Sequence, residues 1–111
     1  MAQLYDEADA SETIASGADG TPLTVKTGGS ARAVSVLIND DAGSAPADYT
    51  LVTEVYDVDA DTWYQKDTTS TTGSTAPTYV SHDAIPEQMR FTLTNDDASQ
   101  QPFHMRVIAH R

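Results

Sequence analysis

Apolar and polar residues alternate along much of the chain with a period of two, which is the pattern of β-strands. The alternation is strongest in residues 89–93 and 105–109, where every second position is apolar. Segments rich in Gly, Pro, Asp and Ser separate these stretches and are typical of turns. The pattern predicts strands within the segments 23–27, 31–39, 49–56, 62–65, 79–81, 87–95 and 103–111. No segment has a convincing helical pattern.

A diverged internal repeat links the middle of the chain to its far end. At a constant offset of 56 residues, the Asn-Asp-Asp-Ala segment at 39–42 aligns with the same four residues at 95–98. In both copies an alternating segment enters an acidic loop, and a second alternating segment follows. This is the pattern of a β-hairpin with a longer loop. The repeat therefore predicts two hairpins, at 31–55 and 87–111.

About seven short strands and no helix predict an all-β fold. We expect an antiparallel β-sandwich of jelly-roll or immunoglobulin-like topology, and the sequence leaves both topologies open. The sandwich domain is predicted to span residues 21–111. Residues 1–20 are mostly small and acidic, and they are predicted to form an N-terminal arm. The arm is either a disordered tail or a segment that orders against a neighbouring subunit.

The predicted strand at 31–39 carries apolar side chains on both faces. The offset aligns its smaller face with Met89, Phe91 and Leu93, which form the strongly apolar face of the second copy. Its other face would then point outward and need cover from the N-terminal arm, from a crossing strand or from another chain. The last of these predicts a homo-oligomer interface. The predicted interface residues are the outward β-branched ones and the large apolar ones of the arm: Val34, Val36, Ile38, Leu4, Tyr5 and Ile14. In the alternative, the β-branched face points inward and the repeat is imperfect.

The chain is strongly acidic, with 17 acidic residues against 6 basic ones and a formal net charge of −11. Thirteen of the acids are Asp, and only two residues are Lys. Self-repulsion of this size is tolerable chiefly where molar salt screens it, so the composition favours a halophilic source. No basic patch is available for phosphates, which disfavours nucleic acid as a partner. The absence of Cys excludes thiol chemistry and disulfides. We expect a soluble protein with no targeting segment and no membrane partner.

The segment Asp57-x-Asp59-x-Asp61 resembles the opening of a calcium-binding loop. It departs from that loop further on, because Thr62 stands where the loop needs Gly and Thr68 where it needs Glu. An acidic turn is therefore the preferred interpretation, with the three aspartates as a weak metal candidate. No cofactor is predicted, although acidic loops can gather cations weakly.

Candidate catalytic residues are few. His82, His104 and His110 lie in no catalytic signature, so we do not expect an enzyme. Trp63 and Tyr64 precede a Ser/Thr-rich segment at 66–76, which is predicted to be a long exposed loop. These two aromatic residues are candidates for glycan contact. The alternative is that Trp63 fills the core between the two sheets.

Several segments together resemble the small β-sandwich structural proteins of tailed viruses that infect haloarchaea. They are VSVLIND at 34–40, ADYTL at 47–51, TWY at 62–64, IPEQMRF at 85–91 and MRVIAHR at 105–111. The resemblance implies a non-enzymatic virion protein that assembles as a symmetric homo-oligomer with other virion proteins. It would decorate the capsid, form a vertex turret or lie in the tail, after assembly in the cytoplasm of a halophilic host. The alternative function is a carbohydrate-binding or receptor-contacting module.

Overall fold

A computed structural model describes residues 4–28, 31–39, 48–71, 78–83 and 88–111. These residues contain eight strands and no helix, so none of them belongs to a helix that could cross a membrane. The strands are β1 (Leu4–Ile14), β2 (Leu23–Lys26), β3 (Ala33–Asn39), β4 (Tyr49–Asp57), β5 (Thr62–Thr71), β6 (Thr78–Asp83), β7 (Gln88–Asn95) and β8 (Gln101–His110).

The strands form two four-stranded antiparallel sheets, in the orders β1-β8-β3-β6 and β2-β7-β4-β5. Only β4 and β5 are neighbours both along the chain and in a sheet, and every other connection between consecutive strands crosses from one sheet to the other. This order of eight strands in two sheets is that of a double-sheet jelly roll. A constant-type immunoglobulin domain instead has seven strands, lettered A to G in chain order, in the sheets ABED and CFG. The predicted all-β antiparallel sandwich is confirmed.

The two predicted hairpins at 31–55 and 87–111 are wrong. β3 pairs with β6 and β8, while β4 pairs with β5 and β7, so each predicted hairpin spans both sheets. Residue alternation identifies a strand and its buried face, but it does not identify the strand's partner. Sheets in a sandwich lie about 10 Å apart, a gap that the connections 40–48 and 96–100 are long enough to cross.

The core lies between the two sheets, and its buried apolar residues come from six strands, mostly from alternate positions. Its buried apolar side chains are Ile14, Leu23, Val25, Val34, Val36, Ile38, Tyr49, Leu51, Met89, Phe91, Leu93, Phe103, Met105, Val107 and Ala109. The inward face of β4 continues with Thr53, which is also buried. Phe103 contacts Tyr49 edge-on, with ring centroids 5.8 Å apart, and this pair joins the two sheets.

The predicted oligomer interface at Val34, Val36 and Ile38 is wrong, because all three side chains lie in the core of their own subunit. β3 pairs with β8, which places Val36 opposite Val107 and Ile38 opposite Met105, and those residues face inward. The internal repeat is therefore out of phase by one residue, as in the alternative interpretation. The outward residue between them is Leu37, which is 38 % exposed.

Most of the predicted N-terminal arm is an edge strand, β1. β1 pairs with β8 along its length, and Ile14 is buried in the core while Leu4 is exposed. Ala8 and Ala10, half-buried against the core, gave no strong apolar signal in the sequence because Ala is small. Residues 4–14 thus belong to the sandwich, and Ile14 is not available to a neighbouring subunit.

Two carboxylates of β1 tie this strand to the segment around β2. Asp6 accepts a hydrogen bond from the Lys26 backbone N–H at 2.7 Å, and Glu12 accepts bonds from the backbone N–H and the hydroxyl of Thr21 at 2.5 and 3.2 Å. The bonds lie at the two ends of β2, on the side of the sandwich where β1 and β2 are both edge strands. Acidic residues of the predicted arm therefore close one side of the fold.

The predicted exposed loop at 66–76 is a strand in its first half. β5 continues to Thr71 and pairs with β4, with one extra residue, Lys66, between the pairs Thr53–Asp67 and Glu54–Gln65. Thr favours strands because its branched side chain fits a pleated surface, although a run of Thr and Ser looks like a loop when only polarity is considered. Residues 72–76 lie outside the described part of the chain.

Candidate functional site

A cluster of aromatic and charged side chains lies on the outer face of the β2-β7-β4-β5 sheet. The Trp63 cluster consists of Trp63, Tyr56, Glu54, Arg90 and Asp61. Trp63 on β5 lies opposite Tyr56 on β4, and Arg90 on β7 lies opposite Glu54. Glu54 and Arg90 each follow a buried residue of their strand, so they point away from the core. The turn between β4 and β5 adds Asp61.

The side chains of the cluster contact one another in a continuous chain. The guanidinium carbon of Arg90 lies 4.3 Å from the centroid of the Trp63 ring, and the Tyr56 ring centroid lies 5.1 Å from that of Trp63. Arg90 also donates two hydrogen bonds of 3.0 Å to the two carboxylate oxygens of Glu54. A partly exposed cation–π contact and ion pair of this kind stabilise the fold by about 1 kcal/mol each at most.

Tyr56 joins the cluster to the turn by donating a hydrogen bond to the carboxylate of Asp61. This hydrogen bond is the main cause that raises the pKa of Tyr56 above its ordinary value of 10.0, with smaller contributions from desolvation and from the charges of Asp61 and Asp57. The hydroxyl therefore remains a protonated donor at neutral pH.

Two of the three aspartates of the predicted metal site, Asp57 and Asp61, accept hydrogen bonds within the β4–β5 hairpin. Asp57 accepts hydrogen bonds from the backbone N–H groups of Asp59 and Ala60, at 3.0 and 3.3 Å. Asp61 has a left-handed backbone with φ of 51°, a conformation that Asp tolerates better than most residues. Within the described residues, no group of three His, Asp or Glu side chains is placed to hold a metal ion. The hydrogen bonds of Asp57 and Asp61 are those that the acidic-turn interpretation expects.

Trp63 and Tyr64 do not form one binding surface. Neighbouring residues of a strand point to opposite sides, and Tyr64 lies opposite Val55 while Trp63 lies opposite Tyr56. Trp63 is half-buried on the outer face of its sheet, so it does not fill the core either. Tyr64 is 51 % exposed at the edge.

A second polar site lies on the outer face of the other sheet. A shallow groove of about 350 Å³ is lined by Glu7, Ala8, Asp9, His104 and Arg106. Arg106 forms an ion pair with Glu7 at 2.7 Å, and His104 lies 3.5 Å from Asp9. Four of the five lining residues thus lie in two close pairs, Arg106 with Glu7 and His104 with Asp9.

One of the two remaining histidines, His110, contacts a serine of the neighbouring strand. His110 Nε2 lies 2.7 Å from the hydroxyl of Ser35, and this contact satisfies a hydroxyl on a buried residue of β3. The side chain of His82 lies outside the described part of the structure.

The sequence did not point to Tyr56, Glu54 or Arg90. One signal was available for Arg90, which is one of only six basic residues and occupies an outward position in a strongly alternating strand. Its partners could not be identified because the cluster depends on β4 lying between β5 and β7, and strand order is not visible in the alternation pattern.

No protein-family model matches the chain, and no curated protein matches it. Solved structures with similar folds include a mitogen derived from Yersinia pseudotuberculosis, with a TM-score of 0.64, 10% identity, and coverage of 94% of this chain and 86% of the mitogen. The PBSX exported protein XepA has a TM-score of 0.68 and 12% identity over 93% of this chain, which spans only 36% of XepA. The SPBc2 prophage-derived protein YomS has a TM-score of 0.50 and 12% identity, covering 93% of this chain and 94% of YomS. At these identities the similarities establish the fold alone.

Proposed function

We propose that the chain is a non-enzymatic structural protein of a virus particle, and that it assembles with copies of itself and with other virion proteins. The observation that carries the proposal is the strand order, because double-sheet jelly rolls are a common building block of viral capsids. The names of two similar structures, a PBSX exported protein and a prophage-derived protein, are consistent with it. Its position would be on the capsid as a decoration or vertex turret, or in the tail.

The acidic surface supports a virus whose host is halophilic. The acidic residues in the described part of the chain are all exposed or half-buried, and the net charge is −11. At molar salt the screening length falls to about 3 Å, which removes most of the repulsion between such side chains. A particle assembled in the cytoplasm of a halophilic host would provide that salt.

The proposal is tested by mass spectrometry of density-purified particles from a culture of the source organism. Peptides of this chain are expected in the particles, in a constant ratio to the other structural proteins across independent preparations. Immunogold labelling with an antibody against the chain would then place it on capsid, vertex or tail. A chain found in infected cells but absent from purified particles would contradict the proposal.

A second candidate function, glycan contact, is favoured by the position of Trp63 on the outer face of its sheet, where it is half-buried. Trp63→Ala should abolish binding to any glycan recognised on an array, because the indole would no longer stack on a sugar ring. The thermal unfolding midpoint should fall only slightly, since the ring is half-buried outside the core.

Tyr64→Ala is the matched control, because it removes an adjacent aromatic side chain from a different surface. It should leave glycan binding unchanged. Equal loss of binding in both variants, or a wild-type chain that binds no glycan, would count against this second function.

A further inference from the structure

The four edge strands of the sandwich differ in their suitability for pairing with another chain. An edge strand presents unpaired backbone groups, and charges or shortness usually protect it. β1 carries four acids and no base, β2 has only four residues, and β6 has six residues with one Asp and no Lys or Arg. β5 has ten residues with one Lys and one Asp, so it is a long edge strand of the described chain with no net charge. In a protein of net charge −11, β5 is thus the one edge strand of the described sandwich with no net charge to repel a second copy of itself.

The two charges of β5 lie next to each other at its centre. Lys66 is the extra residue of the bulge, and Asp67 follows it. Two copies of β5 placed antiparallel, with a two-fold axis between these residues, put Lys66 of each copy opposite Asp67 of the other. Opposite charges at directly facing positions stabilise antiparallel pairs. The strand is therefore complementary to itself in charge.

Because of the bulge, the residues on either side of Lys66 and Asp67 have side chains on the same face of the sheet. Gln65 lies opposite Glu54 and Thr68 opposite Val52, and the Gln65 amide donates a hydrogen bond of 2.8 Å to the Thr68 hydroxyl, so both side chains lie on the outer face. In the paired copies Gln65 faces Thr68. Outward residues then face outward residues, and the two sandwiches share one continuous eight-stranded sheet.

We propose that a second copy of this chain binds along β5 through antiparallel pairing of the two β5 strands, centred between Lys66 and Asp67. The pairing covers the exposed side chain of Tyr64 with Thr69 of the second copy. Each Asp67 carboxylate, which accepts a hydrogen bond from the Thr68 backbone N–H in the single chain, gains a facing ammonium group. This dimer rests on the proposed function, in which the chain assembles with copies of itself, and it identifies the surface through which two copies bind.

Charge reversal tests the pairing by sedimentation equilibrium, at the lowest salt concentration that keeps the wild-type chain folded. Lys66→Asp and Asp67→Lys should each weaken the dimer about tenfold or more, because each creates two facing pairs of like charge. The double variant Lys66→Asp, Asp67→Lys should recover most of the affinity. Lys26→Asp on β2 is the matched control for Lys66→Asp, since both make the same change in net charge, and it should leave dimerisation nearly unchanged.

The register has its own test because the chain has no cysteine. Gln65→Cys and Thr68→Cys protomers should form a disulfide-linked dimer when they are mixed. Either variant alone should react much less, since identical positions lie about 10 Å apart in this register.

A wild-type chain that remains monomeric at millimolar concentration, or a double variant that fails to recover the dimer lost in the single variants, would overturn the proposal. A monomeric chain that is nevertheless found in particles would overturn the β5 dimer alone. A β5 dimer that is absent from particles would overturn only the proposed function.

Discussion

Val36→Asp is expected to prevent folding. The Val36 side chain is fully buried between the sheets, opposite Val107, and no cation faces it there. Burying a carboxyl group in this place costs several kcal/mol in either protonation state, which is comparable to the whole stability of a domain of this size. Circular dichroism in molar salt should show an unfolded chain. The milder Val36→Ala should remain folded with a loss of about 2 kcal/mol in the free energy of unfolding.

Leu37→Asp is the control, because it places the same carboxyl group one residue away on the outer face. Leu37 is partly exposed, so its replacement should cost less than about 1 kcal/mol. The pair separates the core position of Val36 from a position in a subunit interface. If Val36→Asp folded normally and only dissociated an oligomer, the inward orientation of β3 would be wrong.

Asn95→Ala is expected to cause the second largest loss of stability, about 3 kcal/mol. The Asn95 side chain is completely buried at the end of β7. Its amide donates hydrogen bonds to the carbonyls of Ile14 and Ser99, at 2.8 and 3.1 Å, and its oxygen accepts one from the Asp97 N–H at 2.9 Å. Truncation leaves these backbone groups without their partner. Urea unfolding monitored by fluorescence should show a lower midpoint.

Thr94→Ala provides the comparison for Asn95. Thr94 also donates a side-chain hydrogen bond, to Asp19 at 2.6 Å, but the bond is exposed and water can replace the lost partner. Its cost should stay below about 1 kcal/mol. Equal losses in the two variants would mean that Asn95 does not hold the end of β1 against the connection between β7 and β8.

The sequence predicted the strands and their buried faces well where large side chains alternate with polar ones. Met89, Phe91 and Leu93 on β7, and Met105 and Val107 on β8, face the core as expected. These predictions succeeded because burial of large apolar side chains is the dominant contribution to folding and leaves a direct trace in the pattern. The all-β sandwich followed from them.

The errors share a physical cause, which is that some strands gain their stability from pairing rather than from large buried side chains. β1 turns alanines inward and β5 is mostly Thr and polar residues, so neither shows a strong pattern. Both are held as edge strands by β8 and β4. The face of β3 was ambiguous for another reason, because both of its sides are apolar and only its pairing with β8 decides between them.

The candidate site was only partly predictable. Trp63 was singled out from the sequence, but its contacts with Arg90 and Tyr56 depend on three strands being adjacent in one sheet. Asp57, Asp59 and Asp61 were correctly placed in a turn. The backbone and hydroxyl groups that engage Asp57 and Asp61 became visible only in the folded chain.

The strand order also has a consequence for how the chain folds during synthesis. β8 is the last of the eight strands to leave the ribosome, yet it lies between β1 and β3 in its sheet. Until β8 emerges, β1 has no strand to pair with and β3 lacks one of its two neighbours. The hairpin of β4 and β5 is the one pairing that neighbouring segments can form early. Folding should therefore be slow and late, as is usual where contacts join distant parts of a chain, and the nascent sheets remain incompletely paired until β8 is available.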